Sequence, residues 1–231
     1  MTGRVDTAAC EPAAAPPGTV RAVALLVARE ARLELSGREA LSTVVPFAAA
    51  ATLLAGLAFA QGERVLAAVG PGTVWLVVLL SAPALARLAA AAERDEGCWD
   101  LLRCLVSPTV LLAGKTGGLW LQLTLVWVVA QAIGAVLFPV AVPWPVLVAG
   151  PLGTLGLAVL TVALGSLLAG ADRRGGLLAV LLLPLALPVL LAGSTLGTPG
   201  APAAPWLALL TAYDLLIATT LWAVCPALLE E

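Results

Sequence analysis

Few residues in this chain can do chemistry. It has no histidine, its only methionine is Met1, and its four cysteines (Cys10, Cys98, Cys104 and Cys225) form neither a C-x-x-C pair nor a zinc spacing. The imidazole ligand of metal sites is thereby absent and the ordinary axial ligands of haem iron are reduced to thiols and the single tyrosine, and the cysteines read as free thiols. Three places still draw notice. Asp214, preceded by Tyr213, lies inside the apolar run that begins near Trp206. A carboxyl at membrane depth is costly and is a functional hypothesis by default. The plainer reading is a buried acid that stays protonated or hydrogen-bonds a neighbouring helix. No other apolar run holds a basic residue deep inside it, and one acid does not make an ion pathway.

The second place is Glu96–Val106, EGCWDLLRCLV. At 100° per residue, Trp99, Leu101, Leu102, Leu105 and Val106 form one side, and Glu96, Asp100, Arg103 and Cys104 form the other. A short amphipathic helix of this kind lies on lipid headgroups or docks in a partner's groove. Anionic lipid would favour a basic polar face, whereas this one is net acidic, so a protein partner is preferred. The third place, Gly114-Lys115-Thr116, resembles the end of a P-loop, but Thr109 stands where the first glycine belongs and no strand precedes it. Lys115 reads as an anchor at a membrane boundary, and the chain is expected to carry no ATPase of its own.

The elements that position these residues follow from composition. Of 231 residues, 61% are hydrophobic and 11% charged, against about 45–50% and about 25% in soluble domains, and the mean hydropathy is +1.04. A soluble fold of this size leaves too much surface exposed to hide such a chain; a bilayer covers it. The net charge of −2 argues against nucleic acid. Six segments approach the ~20 apolar residues a spanning helix needs: Leu41–Ala60, Gly72–Ala91, Gly118–Phe138, Val146–Gly170, Leu177–Leu196 and Trp206–Cys225. The expected fold is all-α, a six-span membrane domain over residues 40–231. Residues 20–39 form an interfacial helix carrying Arg21, Arg29 and Arg32, with Leu25 among them, and residues 1–19 form a disordered Pro/Ala-rich tail or an over-extended start. That tail lacks the apolar core of a signal peptide.

Within the spans, Pro184 and Pro188 should bend the fifth, with their shared face turned into the bundle. Gly153, Gly156, Gly165, Ser166 and Gly170 suit close packing of the fourth. Orientation comes from the positive-inside rule. Arg4, Arg21, Arg29, Arg32, Arg38, Arg87, Arg94, Arg103, Lys115, Arg173 and Arg174 fall on one side, and only Arg64 of the 12 basic residues falls on the other. Both termini are thus expected in the cytosol of a multi-pass inner-membrane protein.

The order of motifs resembles the CcmB family, the B subunit of cytochrome c maturation. The resemblance runs over about residues 29–231. It includes Gly70-Pro71-Gly72 followed by Trp75, then Glu96-Gly97, Asp100-Leu101-Leu102, Ser107-Pro108 and Gly114-Lys115. It continues with Arg173-Arg174-Gly175-Gly176, Leu183-Pro184-Leu185, Leu187-Pro188, Tyr213-Asp214 and Glu230-Glu231. Departures occur at Ala86 and at Ala89–Ala92.

The resemblance implies an ABC-2-type permease that pairs with a second copy of itself, a cytosolic ABC ATPase subunit and a haem-handling membrane subunit. ATP would act through the ATPase, and haem would be cargo, either exported or released on its chaperone; the lack of histidine favours the latter. The resemblance also casts Glu96, Gly97, Trp99, Asp100, Leu102, Arg103 and Val106 as the ATPase-coupling element, while Tyr213 and Asp214 stand as an intramembrane polar site on the reading of the residues themselves. No catalytic, cofactor-binding or metal site is expected. Competing readings are a secondary transporter using Asp214 as a proton site and a non-transporting scaffold. The former would need internal repeats with paired broken helices, and no half-to-half similarity is visible.

Overall fold

The computed structural model describes residues 23–29, 32, 39–59, 62–95, 108–138, 142–168 and 174–224, and every regular element among them is helical. After a short helical segment at residues 23–29 come α1 (Glu39–Ala58), α2 (Glu63–Asp95), α3 (Pro108–Leu137), α4 (Trp144–Leu167), α5 (Arg174–Leu185), α6 (Leu187–Leu196) and α7 (Ala203–Val224). Helices satisfy all their backbone groups internally, which hydrocarbon demands. Four of them contain stretches long and apolar enough to span: Val65–Leu88, Thr109–Leu137, Trp144–Leu167 and Ala203–Ala223. The pair α5–α6, bent by 54°, makes a fifth if taken as one broken span.

The first expected span is an apolar helix of 10–17 residues, Ser42–Ala58, shorter than the other candidates. The described helices therefore support four or five spans rather than the six counted from sequence. Several boundaries also move. Gly70-Pro71-Gly72 sits inside α2 rather than at the start of a span. Pro71 there removes one donor without ending the helix. α3 begins ten residues before the expected Gly118, because Val110–Ala113 prolongs its apolar pattern.

α4 is the axis of the bundle, touching α2, α3, α5, α6 and α7. α1 lies at one edge against α2 and α3, and α7 at the opposite edge against α4 and α6. The difference is visible in burial: 61% of the apolar window of α4 is covered by protein, against 17% for α7.

Packing between these helices relies on aromatic rings seated in glycine notches. Trp75 of α2 is buried between Gly153 of α4 and Gly193 of α6. A Cβ at Gly153 would meet the Trp75 ring at 2.5 Å, and one at Gly193 would overlap the indole. Trp127 lies on Gly150 in the same manner, and Phe138 on Gly70, where a Cβ would come within 2.8 Å of the ring. Small residues let backbones approach closely, which in lipid supplies the dispersion energy that the hydrophobic effect does not. Polar stitches join α3 to α4. Trp120 Nε1 donates to the Pro151 carbonyl at 2.8 Å, and the Thr124 and Thr154 hydroxyls pair at 2.9 Å.

Candidate functional site: a broken helix and an intramembrane acid

The break between α5 and α6 is written in two prolines. Pro184 and Pro188 have no N–H, so the carbonyls of Val180 and Pro184 lose their usual donors four residues on. At the break itself the ladder tightens: the N–H groups of Val189 and Leu190 both reach the Ala186 carbonyl at 3.0 Å. The Val189 N–H, which a continuous helix would direct to the Leu185 carbonyl, is thus diverted. The Tyr213 hydroxyl of α7 takes its place, donating to the Leu185 carbonyl at 2.5 Å. This is how a broken helix survives at membrane depth, with a neighbour satisfying the freed backbone.

The bend follows the expectation from the two prolines, but their orientation does not. Pro184 is exposed and Pro188 half-buried, while Leu182, Ala186 and Val189 form the buried side. The reason is geometric. The missing donors open the helix on the proline side, and the chain bends so that its small and branched residues stay packed on α2 and α4.

Asp214 follows Tyr213 on α7 and is 7% exposed. Its Oδ1 lies against Gly156 of α4, where any Cβ would collide with it. Neither carboxyl oxygen has a hydrogen-bond partner among the described residues. The carboxyl is held in this position by the absence of a side chain at Gly156, and Tyr213 Cε1 borders the same notch, 3.4 Å from that Cβ position. The sequence singled out Tyr213 and Asp214, and the close packing expected at Gly153 and Gly156 is present. That Tyr213 serves the break was not legible, because the acceptor is a main-chain carbonyl with no signature in the side chains.

Gly114-Lys115-Thr116 lies within α3, where the backbone N–H groups belong to the helix and cannot cradle a phosphate. Thr116 donates to the Leu112 carbonyl at 2.8 Å. A cleft of about 30 Å³, lined by Pro71, Trp75, Gln131 and Phe138 among others, is far below the roughly 300–1,000 Å³ of small-molecule sites. No group of three metal-ligating side chains occurs among the described residues. Glu96, Gly97, Trp99, Asp100, Leu102, Arg103 and Val106 lie outside the described residues, as do residues 1–19 and Arg173. The flanks of that coupling segment are the end of α2 at Asp95 and the start of α3 at Pro108.

A bundle of long apolar helices around a broken pair, with one acid buried at mid-helix, defines a multi-pass helical membrane protein. The family described as CcmB protein matches residues 21–229, and the chain belongs to that family. It is 33% identical over 206 residues to the Heme exporter protein B of Pseudomonas aeruginosa, covering 83% of this chain and 90% of that protein.

Proposed function

We propose that this chain is the inner-membrane permease subunit of an ABC transporter serving cytochrome c maturation. In this reading two copies join a cytosolic ATPase pair, and ATP hydrolysis there drives haem export or release of the haem-loaded chaperone from a haem-handling membrane subunit. The family match across nearly the whole chain carries the proposal. The bundle is consistent with it in one respect: α2 and α3, two of its longest helices, are linked by the Glu96–Val106 segment. In this reading a push on the segment acts on the core helices that hold Trp75 and Trp127. Six spans with both termini cytosolic complete the reading, with Ser42–Ala58 as a short first span that lipid thinning or flanking residues accommodate.

The test is recruitment of the ATPase. Trp99 is the aromatic anchor of the segment's apolar side, and such anchors cost about 2 kcal/mol or more when truncated, roughly a thirtyfold loss in Kd. Pull-down at matched permease levels should show Trp99→Ala losing the ATPase while Arg103→Ala retains most of it. Equal recovery from wild type and Trp99→Ala would place the coupling elsewhere, with Arg173-Arg174 next in line.

A further inference from the structure

The helical segment at residues 23–29 does not float beside the bundle. Leu26 sits on Gly114 and Val27 on Gly117, in the first turns of α3. A Cβ at Gly114 would meet Leu26 Cβ at 2.8 Å and Cδ1 at 3.1 Å, and one at Gly117 would meet Val27 Cγ2 at 2.5 Å. The opposite side of the segment is open, with Leu25 58% exposed and Ala24, Ala28 and Arg32 exposed. From this notch the chain runs on into α1, which itself packs on α2 and α3. Gly114 and Gly117 follow Pro108, the first residue of α3, by two to three turns. They are therefore covalently close to the Glu96–Val106 segment.

We infer that residues 23–29 are a strap that locks the near ends of α1 and α3 into one moving body, so that force delivered to the coupling segment reaches both helices together. Leu26 and Val27 are its positioning residues. The inference deepens the permease reading and rests on it. Its physical basis is the tightness of the notch: at Gly114 and Gly117 the strap's side chains lie so close to the helix that a Cβ at either position would clash.

The geometry sets an asymmetric test. A Cβ at Gly117 lies 3.7 Å from Val27 Cβ, matching the mean disulfide spacing of about 3.8 Å. The 2.8 Å between Leu26 Cβ and a Cβ at 114 is too short for one. In the full chain in membranes, with Cys10, Cys98, Cys104 and Cys225 replaced by serine, Val27→Cys/Gly117→Cys should cross-link readily and Leu26→Cys/Gly114→Cys should not. The locked 27–117 transporter should mature c-type cytochromes as well as its reduced form. Gly117→Ala should lower that yield at equal permease level, and adding Val27→Ala, which removes the offending Cγ2, should restore it. Leu26→Ala should fail to rescue Gly114→Ala, because the Leu26 Cβ remains.

Loss of activity on cross-linking, recovered by reduction, would mean the strap undocks during the cycle and would overturn the inference. So would a 27–117 pair that does not cross-link, a silent Gly117→Ala, or a double variant as impaired as the single. Cross-linking reads the strap without any ATPase. Failure of wild type to retain the ATPase would instead strike the permease reading.

Discussion

Replacing Tyr213 by phenylalanine removes one oxygen and keeps the ring, which isolates the tie across the broken span. The hydroxyl bond to the Leu185 carbonyl is 2.5 Å long and joins α7 to the end of α5. Interhelical hydrogen bonds in membranes average about 0.6 kcal/mol, with a ceiling near 1.7. Here the acceptor has lost its helical donor, since the Val189 N–H reaches Ala186 instead. An orphaned acceptor costs about 1–3 kcal/mol. The combined expectation for Tyr213→Phe is about 1–2 kcal/mol. For a chain of this size each kcal/mol corresponds to roughly 2–4 °C, giving a fall in Tm of about 2–8 °C. Thermal unfolding of the detergent-solubilised protein measures it. Thr211→Ala is the control, because its exposed hydroxyl bonds only the Leu207 carbonyl of its own helix at 2.8 Å. A Tyr213→Phe variant as stable as Thr211→Ala would refute the claim that this hydroxyl holds the break.

Two further outcomes are expected. Gly193→Ala, which drives a methyl into the buried Trp75 indole, should cost about 1–3 kcal/mol by overpacking and lower Tm. Gly176→Ala, with nothing within 4 Å of its Cβ position, should leave Tm unchanged. Single cysteines at Arg38, Arg103 and Arg173 should resist an impermeant thiol reagent applied from outside, while those at Gly62 and Gly200 should react; labelling at position 103 would invert the proposed orientation.

What could be read before the structure was the physics of single segments. Composition alone calls for apolar helices in lipid, and Pro184 with Pro188 calls for a bend. Pairwise facts were not legible. Twenty-two glycines are scattered through an alanine-rich chain, and nothing in the one-dimensional pattern tells Gly193, filled by an indole, from Gly176, which faces open space. The inward orientation assigned to the proline face failed for a related reason: a bend redistributes which residues touch neighbours, and periodicity assumes a straight helix. Hydropathy also did not show how short the first apolar helix is, Ser42–Ala58, or that the fifth segment is bent by 54° at a break, because it does not register where a helix stops within an apolar run. Gly114 was legible as part of a false P-loop end, and nothing in the sequence marked it or Gly117 as the seat of Leu26 and Val27.

The indole of Trp75 carries a consequence for how the chain is made. Its two notches, Gly153 and Gly193, are synthesised 78 and 118 residues after it. At about 5–20 residues per second, the ribosome needs roughly 6–24 s to deliver the second. Until Gly193 is made, the pocket that buries the Trp75 ring in the folded bundle lacks one of its two walls. The seat of Trp75 is therefore completed out of sequence order: a ring of the second helix finds its last neighbour only in α6.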